Sequence, residues 1–146
     1  MANPNSMTIK FSILLIIILL VEASGLTFNP KVHVYIRNDI PPHPTPLNLT
    51  VHCKSKNDDL GFHTLVYGEI YTFSFRPSLF PQFSATLFFC SFAWKGSPDL
   101  HYLDVYDEDF DDCIVCSWKI TKTGGCKPLK QKPDACVVWN TRIALK

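Results

Sequence analysis

The chain has 146 residues, with 14 basic and 13 acidic side chains and a formal net charge of +1. That balance gives no reason to expect nucleic acid or an anionic membrane surface as a partner. The length suits one domain rather than several.

The first stretch reads as an address. Lys10 precedes Phe11-Ser12-Ile13-Leu14-Leu15-Ile16-Ile17-Ile18-Leu19-Leu20-Val21, and the small residues Ala23, Ser24 and Gly25 follow. A basic residue, an apolar run and a small-residue zone make a secretory signal peptide. A spanning helix needs about 20 apolar residues, and Glu22 ends this run early. Residues 1–25 are therefore expected to be cleaved, after Ala23 or Gly25, leaving no stable membrane insertion. Residues 26–146 are the mature domain. It keeps a charge of +1, because cleavage removes one lysine and one glutamate.

Residues 31–38 alternate apolar and polar side chains, which predicts a strand with Val32, Val34 and Ile36 inward. Pro41-Pro42-His43-Pro44-Thr45-Pro46 must be a loop, since proline lacks the donor that a helix or central strand needs. Residues 47–54 form the next strand. Leu47, Leu49, Val51 and Cys53 share one face, with Asn48, Thr50, His52 and Lys54 on the other. A polar run then reaches Asp59. Asn57, Asp58 and Asp59 favour turns by bonding nearby backbone, and Gly61 can take a positive φ.

Residues 62–67 are short and apolar, and Gly68 turns them into a strand over 69–76. There Tyr71, Phe73 and Phe75 alternate with Thr72 and Ser74. Pro77 and Pro81 bracket a loop. Residues 85–94 are almost wholly apolar and predict a central strand, buried on both faces or nearly so. Residues 95–99 have turn chemistry, and 100–106 return as a strand. An acidic loop occupies 107–112. Residues 113–121 predict another strand, Gly124-Gly125 a turn, and 136–139 a last strand.

No stretch of the mature chain sustains a helical period. Short strands between turn signals predict an all-β fold, an antiparallel sandwich or barrel of about seven to eight strands. All six cysteines (Cys53, Cys90, Cys113, Cys116, Cys126 and Cys136) lie in the mature part. An even number in a secreted chain predicts disulfides throughout. Spacing does not choose the connectivity.

Cys113-x-x-Cys116 has the spacing of a redox or zinc pair. A redox pair would open a helix, where the N-terminus lowers a thiol's pKa. Here it lies in a strand pattern, and residues i and i+3 of a strand point to opposite faces. The two cysteines are therefore expected in two different bridges. A structural zinc site would need a second close pair, and Cys126 and Cys136 are too far apart in sequence. No cofactor or metal is implied.

Asp107, Glu108, Asp109, Asp111 and Asp112 crowd one loop, interrupted only by Phe110. The loop lacks the glycine and closing glutamate of a calcium-binding loop. The plain reading is a solvated loop that limits edge pairing. The sharper reading is a recognition surface, because loops on a rigid sandwich often bind partners. The five histidines (33, 43, 52, 63 and 101) are scattered singly, with no nucleophile motif beside one, so the chain reads as non-enzymatic. Asn48-Leu49-Thr50 is an N-glycosylation acceptor. Trp94, Trp118 and Trp139 read as core anchors.

The run Leu49-Thr50-Val51-His52-Cys53-Lys54-Ser55-Lys56-Asn57-Asp58-Asp59-Leu60-Gly61 resembles the plant self-incompatibility S1 family, or S-protein homologues. So do Gly68-Glu69, Thr86-Leu87-Phe88-Phe89-Cys90, Trp94 and Asp104-Val105-Tyr106. The likeness continues through Cys113-x-x-Cys116-x-Trp118-x-Ile120, Gly125-Cys126 and Cys136-Val137-Val138-Trp139-Asn140. It covers nearly all of the mature chain, in order. The resemblance implies a small secreted plant protein with a β-sandwich fold. The family's founding members are stigma-secreted ligands that a pollen-borne membrane partner recognises, halting growth of self pollen. Most relatives have no assigned role. The resemblance thus implies an extracellular signalling or recognition ligand that binds a cell-surface protein partner; the chain is also expected to be a monomer. A secreted defence or effector-like protein without a dedicated receptor is the alternative, and an extracellular hydrolase the third reading.

Overall fold

A computed structural model describes residues 4–23, 29–42, 44–45, 47–129 and 132–140. The chain divides into two compact units, Met1–Pro30 and Lys31–Lys146. The first contains one helix, α1 (Pro4–Ala23). Among the described residues, no helix is long and apolar enough to cross a membrane. Of the expected cleavage zone, Ser24 and Gly25 lie outside the described residues, as do His43 and Pro46 of the proline-rich loop.

Among its described residues the second unit has nine strands, one more than the upper expected number. They are β1 (Val32–Asn38), β2 (Leu49–Lys54), β3 (Asp59–Leu65), β4 (Ile70–Phe75), β5 (Leu87–Trp94), β6 (His101–Asp107), β7 (Val115–Thr121), β8 (Gly124–Lys127) and β9 (Ala135–Val138). One sheet has the order β4-β1-β7-β8-β9 and the other β3-β2-β5-β6. Their buried side chains form one cluster, so the fold is the all-β sandwich that the alternating pattern predicts. Every pairing is antiparallel except β1 with β7, which runs parallel from His33↔Val115 to Asn38↔Ile120. That parallel pair needs the long crossover that carries the chain through the second sheet.

The inward faces are those that the two-residue period gives. Val32, Val34 and Ile36 of β1 and Leu49, Val51 and Cys53 of β2 are buried. β5 is central in its sheet, but only Phe88, Cys90 and Phe92 are buried on it. Phe89, Ser91 and Ala93 on its outer face are half-buried, so the two-faced burial expected of it is met on one side.

Asn38 is the one polar residue buried completely among the described residues. Its amide donates to the carbonyls of Leu47 and Leu65, each at 3.0 Å, and its oxygen accepts the Ile40 N–H at 3.1 Å. One side chain thus ties the end of β1 to the start of β2 and the end of β3, with its bonding capacity nearly filled. Trp118 links the sheets in the same way, donating its indole N–H to the Val105 carbonyl at 2.9 Å.

Gly124-Gly125 is not the turn that the sequence suggests. The turn is Lys122-Thr123, and both glycines lie in β8. Their purpose is close approach. A Cβ on Gly124 would sit 1.9 Å from the Val137 carbonyl oxygen, and one on Gly125 2.4 Å from Leu103 Cδ2. A strand glycine where another backbone presses in is the alternative to a turn glycine.

Candidate recognition surface

The strand registers sort the loops into two ends. Leu87 pairs with Asp107 and Lys54 with Phe89, so the 55–58, 76–86 and 107–114 connections gather at one end. Leu49 pairs with Trp94, which puts residues 95–100 at the other.

At the first end the acidic loop is folded tightly on itself. Phe110 and Asp111 both donate their N–H groups to the Asp107 carbonyl, at 3.0 and 2.7 Å. Asp107 carboxylate accepts the Asp109 N–H at 3.1 Å, and Asp111 carboxylate accepts the Asp107 N–H at 2.8 Å. Asp111 also pairs with the Lys127 ammonium. Glu108 accepts the N–H groups of Thr86 and Ser78, at 2.7 and 3.2 Å, bracing the loop that connects β4 to β5.

The five carboxylates therefore divide. Asp107, Glu108 and Asp111 hold backbone, while Asp109 and Asp112 are exposed. Between them Phe110 is 87% exposed. The charge of the loop still reaches its surroundings. The Tyr106 hydroxyl is pushed above its ordinary value, first by burial and then by Glu108, Asp111 and Asp107. Phe83, on the neighbouring loop at the same end, is 86% exposed. Sequence reasoning selected the carboxylates and passed over Phe110 and Phe83. A phenylalanine inside a carboxylate run was the available signal, since such a loop cannot bury it.

The hairpin between β2 and β3 lies at the same end of the sandwich. Ser55 Oγ accepts the N–H groups of Asn57 and Asp58 and donates to the Asp58 carboxylate. Asp59 Oδ1 accepts the Gly61 N–H at 3.0 Å and lies 2.6 Å from His52 Nε2, while Oδ2 meets Lys54 Nζ at 2.9 Å. His52, then Lys54, then the Gly61 N–H hold the Asp59 carboxyl well below its ordinary range. Gly61 has φ +72° within β3, opposite a register shift between His52 and Lys54. The carboxylate and glycine thus serve a bulge. Between this hairpin and residues 78–88 lies a cleft of about 370 Å³.

All six cysteines are bridged, as Cys53–Cys90, Cys113–Cys116 and Cys126–Cys136. The expectation that Cys113 and Cys116 belong to different bridges is wrong. β7 begins at Val115, so Cys113 precedes the strand and the alternation of faces does not apply to it. The bend at Ile114 brings the two Cα atoms to 5.5 Å, within bridging range. The bridge anchors the far side of the acidic loop to the buried Cys116.

Asn48 is exposed, immediately before β2. Of the histidines, His33 is exposed, His52 pairs with Asp59, and His63 stacks on Tyr71 at 3.9 Å. His101 has Ser97 Oγ at 2.8 Å from its Nε2. Among the described residues no carboxylate bonds its other nitrogen, so this is two members of a three-member pattern. Among the described residues, no three His, Cys, Asp or Glu side chains are grouped to hold a metal ion. Trp118 is a core anchor, 4% exposed, but Trp94 and Trp139 are only partly buried at the second end.

The family described as plant self-incompatibility protein S1 matches residues 33–139, from β1 to the tryptophan after β9. The chain belongs to this family. S-protein homolog 29 of Arabidopsis thaliana is 38% identical over 136 residues, covering 89% of this chain and 95% of that protein. S-protein homolog 5 of the same plant is 41% identical over 93 residues, covering 62% and 67%. S-protein homolog 4 is 41% identical over 101 residues, covering 63% of each. No solved structure matches the chain. The S1-family match runs from the second residue of β1 through β9 and takes in all six cysteines, so the disulfides and the loops at both ends lie within it.

Proposed function

We propose that this S1-family chain is a secreted, monomeric, non-enzymatic ligand that presents the 107–112 end of its sandwich to a protein on a cell surface. The observation that carries this reading is the division of labour in the acidic loop. Asp109, Phe110 and Asp112 face solvent on a loop whose base is held by Asp107, Glu108, Asp111 and the Cys113–Cys116 bridge. A loop fixed before binding loses little conformational freedom on binding. An exposed aromatic between two carboxylates offers both an anchor and charge selection for a cationic site. Pollen–pistil recognition is the particular role that the family's description suggests for such a ligand. A glycan on Asn48 would stand clear of this end.

The test has two arms. Protein recovered from plant culture medium should begin at Ser24 or Leu26, and Met1 intact on a membrane-bound product would overturn secretion. Labelled mature protein should then bind intact plant cells saturably, with displacement by unlabelled protein and weakening by Phe110→Ala. Uptake that neither saturates nor competes would favour the receptor-independent defence role.

A further inference from the structure

We propose that the second end of the sandwich carries a binding cleft for a short acidic oligosaccharide, a sugar chain bearing carboxylates. Trp94 closes β5 and His101 opens β6, and their rings stack at 4.5 Å with an interplanar angle of 12°. Trp139 packs against His101 at 4.9 Å and Trp94 at 6.1 Å, and buried Phe92 backs it at 5.5 Å. The Trp139 indole N–H donates to the Lys122 carbonyl at 3.1 Å, tying the chain after β9 to the β7–β8 turn. These rings are locked by one another and by the core, yet they are not fully covered.

A cleft of about 500 Å³ opens beside them, lined by Leu47, Trp94, His101, Ser97, Lys95 and Lys122 among others. That volume is in the range of small-ligand sites. The cleft is open along one side, so an isolated small molecule would stay half in water, whereas one or two units of a chain could lie across it. The lining is also mixed. An indole face gives a flat apolar surface for the C–H face of a pyranose ring. Ser97 Oγ and the His101 ring supply hydrogen-bonding partners for hydroxyls, 2.8 Å from each other.

Charge decides which sugar. Lys95 and Lys122 are exposed, and neither has an ion-pair partner among the described residues. Asp99, the one carboxylate of the adjoining turn, is not among the lining residues. Two ammoniums beside a stacking ring favour a carboxylated saccharide over a neutral one, since lysine acts as a mobile point charge. The cleft lies at the opposite ends of β5 and β6 from the acidic loop, so this site does not depend on the receptor reading.

The probe is an α-1,4-linked hexagalacturonate, with maltohexaose as the neutral control and hexaglutamate as the non-sugar polyanion. Binding to the mature protein is followed by indole fluorescence and calorimetry. Hexagalacturonate should bind at least tenfold more tightly than either control, and added salt should weaken it. Lys95→Ala and Lys122→Ala should each weaken it about two- to fivefold while melting like the parent. Trp94→Phe should keep part of the affinity and Trp94→Ala should lose it. Absence of hexagalacturonate binding overturns the proposal. So does equal binding of maltohexaose, which removes charge selection, or of hexaglutamate, which leaves only a basic patch.

Discussion

Glu108 reaches out of the acidic loop to accept the Thr86 N–H at 2.7 Å, while its own N–H donates to the Thr86 carbonyl at 3.0 Å. The same carboxylate takes the Ser78 N–H at 3.2 Å. A single side chain therefore fixes two loops of the proposed recognition end. Glu108→Ala leaves the partly buried Thr86 N–H without its acceptor, while the Ser78 N–H keeps Thr86 Oγ1 at 2.9 Å, and should cost about 1–3 kcal/mol, with Glu108→Gln costing less. Chemical denaturation measures both. Midpoints equal to the parent would mean that the brace contributes nothing.

Acid sensitivity should reside in Asp59. His52, Lys54 and the Gly61 N–H hold its carboxyl below the ordinary value of 3.8. A value lowered in the folded state means that the ionised form is favoured by folding. The stabilisation is complete above about pH 5 and is lost as pH falls through 3.8 and below, where the folded form must also take up the proton. Asp59→Asn should therefore be less stable than the parent at neutral pH, and the two should converge in acid. Because the side chain is 55% exposed, salt should narrow the gap. Denaturation midpoints at several pH values decide it, and a parallel pair of curves would refute the assignment.

Two glycines should differ in cost for a physical reason. At Gly61, φ is +72° and nothing lies within 4 Å of an added Cβ, so Gly61→Ala pays only for backbone conformation, about 1–2 kcal/mol. At Gly124 the added Cβ would strike the backbone of β9, which cannot yield as a side chain can. Gly124→Ala should cost about 3 kcal/mol through overpacking and strain. Thermal melts of the two variants should rank them in that order.

The bridges should rank by the chain they close. Cys53–Cys90 spans 37 residues, Cys126–Cys136 spans 10 and Cys113–Cys116 spans 3. Loop-closure entropy then gives about 4, 3 and 2 kcal/mol for paired serine substitution at each. Equilibrium unfolding of the three double variants tests the order. Peptide mapping of the unreduced protein should recover Cys113 and Cys116 in one linked fragment.

Most of the sandwich was legible because alternation reports burial directly. Val32, Val34 and Ile36, or Leu49, Val51 and Cys53, are inward by the same two-residue rule that marks them in sequence. What was not legible depends on which strand lies beside which. The role of Gly124 and Gly125 is set by Val137 and Leu103, which approach from β9 and β6. The pairing of Cys113 with Cys116 depends on where β7 starts, and moving that start from residue 113 to Val115 reverses the inference. At the acidic loop the sequence shows five carboxylates but not that three are bonded to backbone. The Trp94–His101–Trp139 cluster joins residues from β5, β6 and the segment after β9, so no local pattern marks it.

The last prediction separates the two kinds of carboxylate in the 107–112 loop. Asp111 bonds the Asp107 N–H and pairs with Lys127, so Asp111→Lys both removes an acceptor and sets two ammoniums together. It should destabilise by about 1–3 kcal/mol. Asp109 offers solvent its side chain beyond the single N–H accepted by Asp107, so Asp109→Lys should change stability by less than about 0.5 kcal/mol. If Asp109 and Phe110 meet the cell-surface partner, that same reversal should reduce saturable cell binding about tenfold or more, because a cationic site would then face a cation. Binding by Asp111→Lys must be read below its melting transition, so that loss of fold is not taken for loss of contact. An Asp109→Lys protein that folds and binds like the parent would remove the loop from the interface. The 55–58 hairpin, at the same end, would then be the next surface to reverse in charge, starting at Lys56, which makes no ion pair among the described residues.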